Sequence, residues 1–141
     1  MAETVLLDTS AILAFLCAEE GAADVEKLLR AAARGSLTVY ASFATVAELF
    51  SAAMKREGRE RAEYYLSVVK AWPMTWVQSD EDLCVSAGAM KGCHKMSLAD
   101  AFIAATALRH DAVLVHKDPA FASLKTVIRQ HVLPYKKQAK G

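Results

Sequence analysis

The chain opens on a short apolar run, Val5 to Leu7, which predicts a buried strand. Two hydroxyls follow, Thr9 and Ser10, either of which can cap an apolar helix beginning near Ala11. Gly21 ends or interrupts that helix. Ala22 to Ala33 reads as a second helix closed by Arg34 and Gly35, and Leu37 to Tyr40 as the next strand. Ser42 then caps a long helix through Lys55, which carries Val46, Leu49, Phe50 and Ala53 on one face and stops at Gly58. From Arg59 to Ala71 the residues Ala62, Leu66 and Val69 recur at helical spacing, and Pro73 separates this helix from a strand over Met74 to Val77. Ser79 and Asp82 resemble a capping box at the head of a helix that ends at Gly92. The segment SLADAFIAATAL, opened by Ser97, is apolar on nearly all sides, so its helix should be buried. Ala112 to Val115 predicts another strand, Asp118-Pro119 a cap with proline at the first helical position, and Thr126 to Ile128 an edge strand.

Short strands alternating with helices predict an α/β fold with a mainly parallel sheet and helices on both faces. With 141 residues and 54% of them hydrophobic, one domain over residues 1–141 can bury a substantial core, and only the tail 136–141, KKQAKG, reads as flexible and basic.

The formal net charge of +1 announces no basic nucleic-acid-binding surface, although local patches can act where the net charge is near zero. Cys17, Cys84 and Cys93 are odd in number and lack metal-ligand spacing, which fits a reducing cytoplasm. The first residues have no basic leader, and the apolar run Ala11 to Ala18 is too short to span a bilayer. The expectation is a soluble intracellular protein with no membrane partner.

Four acidic residues change the picture. Asp8 stands at the exit of the first strand, where ligands of open α/β sheets gather, and its alternative role is to cap the helix that follows. Glu48 lies in the helix after the second strand, among the small neighbours Ala44, Ser51 and Ala52; alone it reads as a solvated surface charge. Asp100 sits in the first turn of the buried helix, where it can also complete the cap at Ser97. Asp118 follows the strand AVLVH and precedes Pro119, again a capping position. All four lie near the same end of βα units. Brought together, they would raise one another's pKa unless a multivalent cation compensated them. An oxygen-only ligand set suits Mg²⁺ or Mn²⁺, which bind phosphate oxygens, and that is nuclease chemistry. No histidine cluster offers a zinc site, and no glycine-rich loop offers a nucleotide cradle.

LLDTSAIL, ATVAELFSA, SLADAFIAATAL and VHKDPAF, taken in succession, resemble PIN-domain proteins, in particular VapC-type ribonuclease toxins of toxin-antitoxin pairs. Asp8, Glu48, Asp100 and Asp118 match the family's acidic positions in order and approximate spacing. The resemblance implies a Rossmann-like five-stranded sheet, a divalent-metal site and endonucleolytic cleavage of single-stranded RNA. It further implies that Asp8 and Asp100 are the most direct ligands, that Glu48 and Asp118 complete the site directly or through waters, and that Ser10 orients the cluster. One departure stands out: many relatives carry threonine where this chain has His116, which reads as a solvent-side residue or one that touches substrate phosphate.

Two rivals are weaker. Aspartate phosphotransfer wants a second aspartate two residues after Asp8, where this chain has Ser10. A non-catalytic RNA- or protein-binding domain would leave the four intact carboxylates without chemistry. RNA approaching an acidic cleft needs protein cations, for which Lys55, Arg56, Arg59, Arg61, Lys91 and Lys95 are candidates. The resemblance also implies a VapB-type antitoxin partner and a homodimer that would cover some of Tyr64, Tyr65, Trp72 and Trp76, unless these complete the core.

Overall fold

In the computed structural model, which describes residues 3–135, the first strand β1 (Glu3–Leu7) becomes the centre of a five-stranded sheet. The chain continues through α1 (Thr9–Leu16), α2 (Ala22–Ala33), β2 (Leu37–Ser42), α3 (Phe43–Glu57), α4 (Arg59–Lys70) and β3 (Thr75–Val77). It then forms α5 (Glu81–Cys93), α6 (Leu98–Arg109), β4 (Val113–His116), a 3-10 helix (Pro119–Leu124) and β5 (Gln130–Val132).

The strand order is β3-β2-β1-β4-β5, and every neighbouring pair is parallel. The sheet therefore grows in one direction from β1 through β2 and β3, and in the other through β4 and β5. The reversal falls between β1 and β4, so the crevice at their carboxyl ends is the expected place for a ligand. Asp8 stands in that crevice, its N–H bonded to the Val115 carbonyl at 3.0 Å.

Side-chain alternation along β1 feeds two cores. Leu6 joins Leu114, Ile103, Leu83 and Phe121 under α5 and α6, while Val5 and Leu7 join Ile12, Val25, Leu49 and Val115 under α1, α2 and α3. Helices cover both faces, as the near-continuous apolar strands of a parallel sheet require. Seven residues of α6 are buried, in agreement with its apolar pattern, while Leu98 and Leu108 at its ends are exposed. Trp72 and Trp76 pack against the second core and Tyr64 is exposed.

Glycine is required at two turns. Gly21 has φ +96° at the head of α2, and a Cβ there would stand 3.0 Å from Leu133 Cβ. Gly58, at φ +88°, turns α3 directly into α4.

Several boundaries differ from the sequence reading. The cap of α1 is not Thr9 or Ser10 but Asp8, in the alternative role the sequence offered it, accepting from the Ser10 N–H. The cap of α5 is Asp80 rather than the Ser79 and Asp82 pair: its carboxylate accepts from Leu83 N–H at 2.8 Å and also receives Arg109 at 3.0 and 2.8 Å. That second link joins residues far apart in sequence, so no local pattern signals it. The last strand is Gln130–Val132, not Thr126 to Ile128. The Val127 and Ile128 amides bond back to the Leu124 carbonyl, and Ile128 is drawn into the first core, so that segment turns instead of pairing. The flexible tail expected over 136–141 lies outside the described residues.

Candidate active site

Three elements deliver carboxylates to one point. Asp8 arrives at the exit of β1, Glu48 from the second turn of α3, and Asp100 from the first turn of α6. One oxygen from each lies within 4.8 Å of the others. Asp118, in the loop after β4, does not belong to that tight set, though its charge acts on all three.

The local folding explains why these side chains converge. Asp8 is 3% exposed and its Oδ2 accepts twice from Ser10, from N–H at 3.0 Å and from Oγ–H at 2.5 Å. Ser10 Oγ in turn accepts from the Lys117 N–H at 3.0 Å, which fastens α1 to the loop carrying Asp118. Glu48 Oε1 accepts from Thr9 Oγ1 at 2.8 Å, and Thr45 Oγ1, one turn before Glu48, lies 3.1 Å from the same hydroxyl. Asp100 keeps its cap as well, since its N–H donates to Ser97 Oγ at 3.1 Å. Asp118 Oδ1 accepts from the Ala120 N–H at 2.9 Å and so caps the 3-10 helix. Both readings of Asp8 and Asp118 thus hold together, since each caps a helix through its carboxylate while standing in the crevice; at Asp100 the cap is Ser97, to which Asp100 supplies its backbone N–H.

Electrostatics at this point are unfavourable to ionisation. Burial raises the Asp8 pKa, a rise opposed by the two Ser10 bonds and reinforced by the Asp118 charge. Burial, with Asp8, Asp100 and Asp118 adding repulsion against the Thr9 bond, pushes Glu48 up to about 7. Burial and then the charges of Asp8 and Asp118 push Asp100 up to about 6. The lysine next to Asp118 does not compensate them, because Lys117 Nζ donates to the Glu20 carbonyl at 3.0 Å and stands 3.5 Å from the Glu19 carboxylate. Hard oxygen donors, crowded and disfavoured as anions, form a set whose repulsion a divalent cation would relieve.

A cavity of about 360 Å³ reaches Asp118 and is lined also by Ser10, Leu13, Glu19, Arg56, Lys117 and Tyr135. Arg56 and Lys55 also border a groove that includes Glu48. Of the other cations expected near substrate, Arg59 pairs with Glu63 at 3.0 Å and lies over the Phe50 ring, and Arg61 lies over Tyr64 and Tyr65. Lys91 donates to the Met96 carbonyl at 2.9 Å. Lys95 is exposed.

His116 corrects the sequence reading. Its side chain is neither on the solvent side nor free to meet a phosphate: it is 0% exposed, accepts from the Asp118 N–H through Nδ1 at 3.0 Å, and meets Gln130 Oε1 through Nε2 at 2.8 Å. Thr45 and Lys117 carry no sequence signal of their own for the site, and Thr9 reads from the sequence only as a possible helix cap. The spacing of Thr45 three residues before Glu48, which places both on one side of α3, is the signal that was available.

A model of the PIN domain family matches residues 5–126. No curated protein matches the chain. Among solved structures, the VapBC2 complex of Rickettsia felis bound to a promoter DNA fragment contains a chain similar to this one at TM-score 0.72 and 16% identity, covering 93% of this chain and 99% of that one. A toxin-antitoxin complex from Klebsiella pneumoniae is similar at TM-score 0.59 and 25% identity, over 85% and 92% of the two chains. VapC20 of Mycobacterium tuberculosis, a toxin that cleaves the sarcin-ricin loop, is similar at TM-score 0.70 and 16% identity, over 92% and 99%.

Proposed function

Because this chain belongs to the PIN domain family, we propose that it is a VapC-type toxin: an endoribonuclease that depends on Mg²⁺ or Mn²⁺ and hydrolyses RNA phosphodiester bonds. The observation that carries this reading is the approach of Asp8, Glu48 and Asp100 from three separate elements to within 4.8 Å.

Asp8, Glu48 and Asp100 would hold the ion, with Asp118 completing the set. A bound divalent cation supplies neutralisation of the charge that builds on a phosphodiester, and acidifies a water. The chain's own residues do the rest. Ser10 fixes Asp8 through two hydrogen bonds to one oxygen, which oppose the rise that burial causes in its pKa and leave the other carboxylate oxygen for coordination. Thr9 orients Glu48, whose pKa burial pushes up to about 7, through one hydrogen bond to Oε1. Arg56, at the wall of the adjoining cavity, offers positive charge to an RNA strand that must approach an acidic centre.

Relatives of this fold are seen in toxin-antitoxin complexes, and the same class of partner is proposed here: a VapB-type antitoxin that blocks the crevice, acting on a homodimeric toxin in the cytoplasm. Among the described residues, no helix is long and apolar enough to cross a membrane.

The test is cleavage of RNA by purified protein, abolished by EDTA, restored by Mn²⁺ or Mg²⁺, and absent in Asp8→Asn. Sequencing the RNA ends formed after brief expression, against the same variant, identifies the target. Cleavage that persists in Asp8→Asn, from a preparation free of contaminating ribonuclease, overturns the proposal.

A further inference from the structure

The loop that carries Asp118 is fastened from both sides. Lys117 is tied to α1 through its N–H to Ser10 Oγ, and its neighbours on either side, His116 and Asp118, are tied to each other. His116 accepts from the Asp118 N–H, so Nδ1 carries a lone pair, and in the neutral ring the proton then resides on Nε2. Nε2–H therefore donates to Gln130 Oε1 at 2.8 Å. The Gln130 amide is oriented in turn, because its Nε2 donates to the Phe121 carbonyl at 2.9 Å. The imidazole packs edge-on to the Phe121 ring, with centroids 5.0 Å apart. Each polar atom of this buried ring is thus assigned, and the assignment runs from β5 and the 3-10 helix to the backbone of Asp118.

We propose that His116 is a positioning residue for Asp118: the lone pair of Nδ1 fixes the backbone of the fourth carboxylate, and with it the offset of Asp118 from Asp8, Glu48 and Asp100. The inference rests on the proposed role of Asp118 in completing the metal site. Two observations support it beyond core filling. The Asp118 side chain is held by the Ala120 N–H, so its backbone and its carboxylate are both anchored and the residue has little freedom to adjust by itself. The bond to Asp118 and the bond to Gln130 also use different ring nitrogens, so they can be removed separately.

Asparagine at 116 places an amide oxygen near the position of Nδ1 but does not reach Gln130. Glutamine places an amide N–H near the position of Nε2 but leaves the Asp118 N–H without that acceptor. If the ring only fills space, Mn²⁺ affinity responds alike in His116→Asn and His116→Gln. If Nδ1 positions Asp118, the two variants separate.

Mn²⁺ titration of folded protein by calorimetry is expected to show His116→Gln weakened about tenfold or more and His116→Asn within about threefold of wild type, the range typical of partners that orient metal ligands. The Asp118 amide resonance should move in His116→Gln and stay near its wild-type position in His116→Asn. Equal affinities in the two variants, or the reverse order, overturn the proposal. Asp118→Asn separates the two readings: if it weakens Mn²⁺ binding while His116→Gln does not, positioning by His116 fails alone. If Asp118→Asn binds as wild type does, the ligand role of Asp118 fails and the proposal with it. Nitrogen NMR of the wild-type imidazole needs no variant, and finding the proton on Nδ1 at neutral pH overturns the proposal even if neither substitution folds.

Discussion

Thr9 Oγ1 donates a 2.8 Å hydrogen bond to Glu48 Oε1, so the first turn of α1 holds a carboxylate carried by α3. This bond opposes the burial and repulsion that raise the Glu48 pKa to about 7. Thr9→Val keeps the shape of a residue that is 7% exposed and removes the donor. The expected result is a Glu48 that titrates higher still, Mn²⁺ binding that begins at higher pH, and a stability loss of about 1–3 kcal/mol at pH 8, where an ionised carboxylate has lost its partner. Thr9→Ser restores the hydroxyl and should recover all three. Carbon NMR of the Glu48 carboxyl checks the titration, and an unchanged midpoint in Thr9→Val would show that the bond does not govern it.

The raised carboxylates set a pH dependence of stability in metal-free protein. Glu48 titrates at 4.5 when unperturbed and at about 7 in the fold, and Asp100 at 3.8 and about 6. Between these values the folded state binds more protons than the unfolded one, so the stability these groups confer is complete at low pH and is lost as pH rises through the folded values. Burial lowers the His116 pKa and so works in the opposite direction below its ordinary range, which makes the comparison with a variant essential. Glu48→Gln should flatten the decline of stability between about pH 4.5 and 7 relative to wild type. Added Mn²⁺ should stabilise wild type more at pH 8 than at pH 5, because ion and proton compete for the same oxygens. Urea unfolding across this range checks both, and parallel curves for wild type and Glu48→Gln would contradict the assignment.

What could be read from the sequence depended on whether the signal was local. The apolar run Val5 to Leu7, the long apolar face of α3 and the all-round apolar pattern of α6 follow from backbone geometry and burial, and they place the elements correctly. Asp8, Glu48 and Asp100 could be suspected because each lies near the same end of a βα unit, but their approach to one point depends on strand order, which no single segment encodes. Asp80 replaced Ser79 as a cap because Arg109, from the end of α6, reaches it. His116 was misplaced for the same kind of reason: its burial follows from Gln130 on the neighbouring strand and Phe121 in the 3-10 helix. The shift of the last strand to Gln130–Val132 came from Ile128, whose apolar side chain is used by the core and not by the ladder.

The same distinction separates the cations. Arg56 lines the cavity beside Ser10 and Asp118, whereas Arg59, three residues on, is paired with Glu63 and lies over Phe50. Arg56→Ala should weaken RNA binding by catalytically inactive Asp8→Asn protein and reduce the salt slope by about one counterion. Arg59→Ala in the same background should leave the slope unchanged. Fluorescence anisotropy with a single-stranded RNA at several salt concentrations measures this. Equal slopes for Arg56→Ala and its parent would remove Arg56 from the substrate path, and a change confined to Arg59→Ala would move that path to the start of α4.

Asp100 distinguishes capping from catalysis most sharply, because the bond that caps α6 is made by its backbone, whereas its carboxylate carries the charge and takes a Ser97 bond that only partly offsets its raised pKa. The cap at the head of α6 uses the Asp100 backbone N–H, donated to Ser97 Oγ, and asparagine retains it. The carboxylate lies within 4.8 Å of Asp8 and Glu48 oxygens and is 9% exposed at the residue level. Asp100→Asn therefore preserves the helix start while removing one negative charge from a repulsive cluster. Without metal at pH 8 the variant should be folded and at least as stable as wild type, since the buried charge and its repulsion by Asp8 and Asp118, which together raise the pKa of Asp100 to about 6, are gone. Glu48, which the Asp100 charge pushes upward, should titrate lower. Mn²⁺ should stabilise the variant less than wild type, and RNA cleavage should fall by about two orders of magnitude or more, as expected where a charge that holds the cation is lost. Melting curves in EDTA and in Mn²⁺, read beside cleavage of one RNA, test these outcomes together. Near-wild-type cleavage by a preparation free of contaminating ribonuclease would reduce Asp100 to a buried residue at a helix start, whatever its melting temperature.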